Sequence, residues 1–404
     1  MIIRFASTLP ALAALTTLTL PPAHHPPRHM TVDRTPLITH ADVAWRAGAG
    51  TKTMPHEKPT PQGGDRAGAL TARWCRALVV TWLAVAALPA LAWGPHGHQA
   101  VGAIADQLIA GTATAKKVRQ VLGGNLQMAS VWADCVRAVE SSAGSWAYTK
   151  SGTYKECALF ENEASQVAMV AFVKRNASRC GGFASHAQCR HKAYHFTDIP
   201  VQHDQYDPAL PGANSNDLVQ AIGATITVLQ GGKSPAPINI AGQREALRLL
   251  AHYIGDLHQP LHVGSIYLSD AGQPLNPANA KEARDHDNAG GNQLLLKGWK
   301  LHAVWDDVPG KLITTLMTGP GATEARQVKR ATGPMNQWPT AWASDTLADA
   351  DLAYKGLKIA PKAGDTWVVT ATEPDYRLAR EALQRAQIVK AGARLAQIVT
   401  TLWP

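Results

Sequence analysis

The residues best spaced to do chemistry are His252, Asp256 and His262, in the segment AHYIGDLHQPLHVG. On a helix, positions four apart are offset by roughly 40°, so His252 and Asp256 project from one face. The segment LHAVWDD repeats that arrangement with His302 and Asp306. Imidazole nitrogen and carboxylate oxygen are ligands that zinc accepts, and two such pairs facing one core can hold more than one ion. The HExxH pattern of metalloproteases does not occur. A His-x3-Asp pair on a helix is more often a surface contact. Here the flanks Tyr253, Ile254, Leu257, Leu261, Val304 and Trp305 predict buried helices. An unpaired carboxylate is costly in such a place, and metal coordination removes the cost. His258 falls off the spacing and reads as structural or supporting, and Asp307 ranks behind Asp306.

Three further pieces extend the set. His98 follows Trp93 by five residues, so a cleaved N-terminal amine and a nearby imidazole could chelate one ion. Asp134 lies in WADCVR, with Arg137 three residues on and on the same helical face. His195 sits in YHF. Singly, each reads equally well as a core histidine, a surface salt bridge or a capped loop. Together they make five histidines, three aspartates and a terminal amine.

That amine requires a cut before Trp93, and the sequence supplies a place for one. Residues 73–92 read RWCRALVVTWLAVAALPALA, with Arg66, Arg73 and Arg76 as a positive flank and an apolar run from Ala77 to Leu88. Pro89 breaks the run, and Ala90-Leu91-Ala92 puts small residues at the −3 and −1 positions of a cleavage site. The run is short for a bilayer span, which disfavours a membrane anchor. Upstream, residues 1–72 are rich in Pro, His and Gly, and Leu9 to Leu20 resembles a second export core. Two such segments in series read as an over-extended start, with translation beginning near Met30 or Met54. The expected organisation is therefore a leader at 1–92 with no fold and one domain at 93–404. Localisation is then secreted or periplasmic.

Composition agrees. Charged residues are 17% and hydrophobic residues 46% of the 404, a globular balance that excludes bulk disorder. Residues 1–92 hold nine Lys or Arg against four Asp or Glu, so the body keeps only +4 of the formal +9. A mildly basic body suits a polyanionic substrate without demanding one. Cys75 lies in the leader, leaving Cys135, Cys157, Cys180 and Cys189. Four cysteines in an exported chain point to two disulfides, and sequence order favours Cys135–Cys157 with Cys180–Cys189. A cysteine-ligated zinc site lacks any CxxC pair.

The elements that must position these residues are mostly helices. Apolar periodicity predicts helices over 97–122, 129–140, 158–175, 218–230, 243–262, from 301 to before Pro309, and 375–402. Gly181 to His191 reads as a disulfide-pinned loop, YHFTDIP as an extended segment, and 264–298 as irregular. Few segments alternate with period two. The fold class is mainly α, a single-domain helical bundle with long loops.

In order along the chain, WGPHGH, WADCVR, YHFTD, HYIGDLHQPLHVG, GGN and LHAVWD resemble the S-one/P-one nuclease family of single-strand-specific zinc nucleases, over roughly residues 93–402. The resemblance implies the helical fold shared with zinc phospholipases C and three zinc ions (Zn2+) per chain. One ion would be held by Asp134, His195 and His252, with Asp256 bridging to a second held by the Trp93 amine and carbonyl and His98. The third would take His262, His302 and Asp306. It further implies hydrolysis of single-stranded DNA and RNA to 5′-phosphorylated products, with 3′-nucleotidase activity. Two zinc ions about 3.5–4 Å apart would share the attacking hydroxide. Asp134 would orient or deprotonate the water, and Arg137 would neutralise charge on the phosphate. Phe196 would stack an unpaired base and Asp198 accept from its edge, with Asn292 of GGN completing the pocket. No stable protein partner is implied, and the resemblance points to a monomer.

The nearest rival is a zinc-dependent phospholipase C. Its last ligand pair typically ends in Glu where this chain has Asp306, and it lacks the HFTD segment. A zinc-stabilised secreted binding protein is the non-catalytic alternative, and would have no need of Arg137.

Overall fold

The computed structural model describes residues 93–142, 145–150, 153–177 and 190–404. The leader at 1–92, Cys180, Cys189 and most of the expected loop between 181 and 191 lie outside the described residues. The chain is mainly α, as its periodicity predicts, but several expected helices are cut where local chemistry favours a turn.

The helix expected over 97–122 is two: α1 (Pro95–Leu108) and α2 (Ala113–Leu122). Thr112 caps the second by accepting from Ala115 N at 3.2 Å, which satisfies an orphan donor and fixes the break. After α3 (Leu126–Ala129), the helix expected over 129–140 survives only as α4 (Trp132–Val136). The chain then leaves it for β1 (Val139–Ser142), paired antiparallel with β2 (Ser145–Tyr148). Val139 opposite Tyr148 is the β-branched and aromatic pairing that favours a hairpin. The helix expected over 158–175 also breaks, into a 3-10 turn at Lys155–Phe160 and α5 (Glu163–Asn176), which Asn162 caps.

The segment carrying most of the candidate ligands follows. It runs through α6 (Arg190–Ala193), β3 (Ile199–Pro200), α7 (Leu218–Leu229), α8 (Gln243–Asp256) and α9 (Pro260–Val263). The helix expected over 243–262 stops at Asp256 because Pro260 has no N–H to give inside a helix. Pro260 instead opens α9, with Gln259 accepting from Leu261 N at 2.6 Å as its cap.

Residues 264–298, expected to be irregular, hold short strands and one helix. These are β4 (Gly264–Ser265), β5 (Tyr267–Leu268), β6 (Pro274–Leu275), α10 (Ala280–His286), β7 (Leu294–Leu296) and, just beyond, β8 (Trp299–Lys300). Next come α11 (Leu301–Asp306), α12 (Gly310–Met317), α13 (Pro320–Ala325) and α14 (Trp338–Ala350). The chain closes with β9 (Leu357–Ile359), β10 (Trp367–Ala371) and the 28-residue α15 (Asp375–Leu402), about 42 Å long. A four-stranded sheet in the order β8-β7-β10-β9 was not expected, because strands of two to five residues are too short to show a period of two.

Two apolar cores result. The larger gathers α1, α7, α8 and α15 around residues such as Ile104, Leu250, Ile254 and Leu395, all fully buried. The smaller lies under the sheet and includes Leu261, Leu301, Trp305 and Trp367. Side chains of this kind contribute roughly 1.5–3 kcal/mol each on burial. Their effect here is to clamp α8 and α9 against one core and α9 and α11 against the other. Among the described residues no helix is long and apolar enough to cross a membrane.

Candidate metal centre

The helical spacing does what the sequence predicts. From α8, His252 and Asp256 project together, with His252 Nε2 3.2 Å from Asp256 Oδ2. From α11, His302 Nε2 lies 3.5 Å from Asp306 Oδ2. Helix α1 adds His98, whose ring stacks on His252 with centroids 3.7 Å apart and whose Nε2 is 3.3 Å from Asp256 Oδ1. That close approach needs Gly255, since a Cβ there would stand 2.6 Å from His98 Nδ1. Helix α4 adds Asp134, 3.7 Å from His252 Nε2. His195, just after α6, brings Nδ1 to 3.0 Å from Asp256 Oδ2 and 3.1 Å from His252 Nε2. From α9, His262 Nε2 meets His302 Nε2 at 3.0 Å.

Eight residues therefore form three buried groups: Asp134 with His195 and His252, His98 with His252 and Asp256, and His262 with His302 and Asp306. The first two share His252, and the two oxygens of Asp256 face different histidines. Trp93 is fully buried beside them. Its indole donates to Gly255 O at 2.8 Å, and the next residue, Gly94, donates its N–H to Asp306 O at 3.0 Å.

The chemistry of the donor set fits bound cations. His262 Nδ1 donates to His195 O at 2.6 Å and His302 Nδ1 donates to Gly290 O at 2.5 Å. Burial lowers the pKa of His262 to about 3 and of His302 to about 4, so both rings are neutral. Each ring proton is on Nδ1, and two bare Nε2 lone pairs face each other. A cation between them turns repulsion into ligation. Both oxygens of Asp134 and Oδ2 of Asp306 are buried without a hydrogen-bond partner among the described residues. Such acceptors are costly unless something positive meets them.

The electrostatics say the same. Burial pushes Asp306 well above the usual carboxylate range, with Asp134 and Asp256 adding to the rise and the Gln259 hydrogen bond opposing it. Burial would also raise Asp256, but His252 and the hydrogen bonds from His195, His252 and His98 hold it well below. Burial works against charge on His252, yet Asp256 and Asp134 outweigh it and raise that imidazole. In the metal-free protein a proton partly does what a cation would do.

Arg137, at the end of α4, holds Nη1 3.7 Å from Asp134 Oδ1 and remains partly accessible, with 21% of its side chain exposed. Phe196 is half-buried beside His195. Asp198 sits at φ +48, with Tyr267 Oη donating to its carbonyl at 2.7 Å and its Oδ1 buried without a hydrogen-bond partner among the described residues. Burial, then Asp287, raises the Asp198 carboxyl. The glycine at 290 brings the GGN turn against this group: φ is +57, and a Cβ would stand 2.9 Å from Leu261 O and 3.3 Å from Asp198 Oδ1. Asn292 turns its amide inward to Ala289 O at 2.7 Å. Cys135 and Cys157 form a disulfide, pinning the 3-10 turn to α4 immediately after Asp134.

Some residues stand apart from the groups. His96 is exposed on α1, 3.7 Å from Glu156. Asp307 is exposed. His258 donates through Nδ1 to Ile254 O at 2.7 Å and accepts from Arg394 Nη1 at 2.7 Å. Sequence reasoning missed Gln259, whose Nε2 donates to Asp306 Oδ1 at 2.8 Å and turns Oδ2 toward His302. Its only signal in the sequence is an amide side chain directly before Pro260, between the candidate ligands Asp256 and His262.

Comparison with known proteins gives the family. A family model described as S1/P1 Nuclease matches residues 183–403. The chain is 24% identical over 346 residues to Endonuclease 4 of Arabidopsis thaliana, covering 82% of this chain and 94% of that relative. It is 24% identical over 339 residues to Endonuclease 5 of the same plant, covering 78% and 91%. The matched span contains His195, His252, Asp256, His262, His302 and Asp306, and the fold brings His98 and Asp134 to them from outside it. The chain belongs to the S1/P1 nuclease family and is a hydrolase acting on the ester bonds of nucleic acid.

Proposed function

We propose that the chain is an exported, zinc-dependent endonuclease that cuts single-stranded DNA and RNA to 5′-phosphorylated products and also removes 3′-phosphates from nucleotides. The observation that carries this reading is the convergence of three buried His/Asp groups, two of them sharing His252. Both plant relatives are named as endonucleases, which favours internal cutting.

Asp134, His195 and His252 would hold one zinc ion. His98, Asp256 and the Trp93 amine and carbonyl would hold a second, and His262, His302 and Asp306 a third. Bound zinc supplies Lewis acidity and activates water near neutral pH. Asp134 has two oxygens without a hydrogen-bond partner among the described residues, with which it would orient the attacking water and take its proton. Arg137 Nη1, beside Asp134 and accessible, donates to the phosphate as charge builds on it. Phe196 offers a stacking face and Asp198 Oδ1 an acceptor for a base edge, with Asn292 on the GGN turn closing the pocket. A base must be unpaired to stack there, which is the physical basis for single-strand preference.

The domain would run from 93 to 404, with the leader removed between Ala92 and Trp93. Cleavage then does two things at once, releasing the protein and freeing an amine for the second zinc. The test is to produce the chain beginning at Trp93 and assay it on single-stranded DNA, RNA, duplex DNA, 3′-AMP and phosphatidylcholine. Chelator-sensitive cutting of the single strands and dephosphorylation of 3′-AMP are expected. Lipid cleavage alone would favour the phospholipase C reading, and inactivity on every substrate with zinc supplied would favour a zinc-stabilised binding protein.

A further inference from the structure

We propose that Gln259 is a positioning residue for the third metal group: its side-chain amide occupies one oxygen of Asp306 and leaves the other for an ion, while its backbone ties that group to Asp256. This rests on the zinc-nuclease reading above. It assigns the hold on the third ion to a residue that is itself no ligand.

Four hydrogen bonds fix Gln259. Its N–H donates to Asp256 O at 2.9 Å, and its carbonyl accepts from His262 N at 2.9 Å. Its Oε1 accepts from Leu261 N at 2.6 Å, and its Nε2 donates to Asp306 Oδ1 at 2.8 Å. One residue is thus bonded to three candidate ligands, carried by α8, α9 and α11. Gln259 is fully buried, so solvent does not compete for these groups.

The two ends of the amide cannot be exchanged. A flipped side chain would set its NH2 against the N–H of Leu261 and its oxygen against the carboxylate of Asp306. The donor is therefore held toward Asp306 Oδ1. Asp306 Oδ2, 3.5 Å from His302 Nε2, is left buried without a hydrogen-bond partner among the described residues. A bond to the far oxygen of a ligating carboxylate fixes its orientation, and loss of such a bond lowers metal affinity.

The alternative is that Gln259 only caps α9. Gln259→Ser separates the two, because serine is a good cap but is too short to reach Asp306. Gln259→Glu is the second variant. It keeps the length and the acceptor and, as a carboxylate, has no donor. Both are compared with the parent protein for zinc bound across a range of buffered free zinc, for cleavage of single-stranded DNA, and for thermal unfolding of the metal-free form. One of three ions is expected to need about 10- to 100-fold more free zinc in each variant, with kcat falling alongside. The other two ions should bind as in the parent, since the backbone bonds remain, and metal-free unfolding of the serine variant should be unchanged.

Three ions held at parental affinity in both variants would overturn the proposal. So would loss of all ions together, or of the fold in both variants, since Gln259 would then support the whole framework. A parent protein that bound zinc but cut no nucleic acid would end the nuclease reading, while the zinc comparison would still decide the role of Gln259. A parent that bound no zinc would overturn both.

Discussion

Two polar clusters flank the turn between α8 and α9, one half-buried and one buried, and they reach electrical balance differently. In one, His258 accepts from Arg394, which also donates to Asp345 at 2.7 Å, while Lys390 reaches Asp345 at 3.1 Å and Asp349 at 3.2 Å. Two cations meet two carboxylates, and nothing from outside is needed. In the other, Asp134, Asp256 and Asp306 converge, and Arg137 alone among the described Lys and Arg side chains forms an ion pair with one of them. Two negative charges are left to be met by protons or metal. A cluster balanced within the chain needs nothing from outside, whereas a buried one short of cations calls for protons or ions.

The sharpest way to break this contrast is at Asp256, whose two oxygens face His98 on one side and His195 and His252 on the other. Asp256→Ala should lower nuclease activity by at least about a hundredfold and reduce the bound zinc, read by elemental analysis beside the activity assay. Full zinc content in that variant would remove Asp256 from the metal centre. A smaller effect of a different kind is expected at Arg394, which is 8% exposed. Arg394→Met should cost roughly 2–3 kcal/mol of folding stability in urea titration, discounted because Asp345 is partly solvated, and should leave zinc stoichiometry intact. A variant as stable as the parent would mean that the balanced cluster does not hold the turn.

How much of this was legible in the sequence follows from what a linear pattern can record. His252–Asp256 and His302–Asp306 were readable because a helix converts a separation of four into a shared face. The apolar residues around them announced burial, and the unpartnered carboxylates follow from it. The stop at Asp256 was also written in Pro260, although the apolar stripe reads through it. Arg394 could not be read, because its role depends on α15 meeting the α8–α9 turn. The small sheet escaped for another reason: Leu294–Leu296 is uniformly apolar and too short to declare a period. The Gln259 contact to Asp306 spans 47 residues and carries no local signature beyond its polarity.

The proposed centre meets its cation deficit with three ions, one per group. It is tested most directly by the zinc content of the chain beginning at Trp93, measured after equilibration in zinc-buffered solution and exhaustive removal of loosely held metal. Three zinc ions per chain, with thermal stability falling on chelation, are expected. One zinc ion or none in a folded chain whose stability is indifferent to chelator would contradict it.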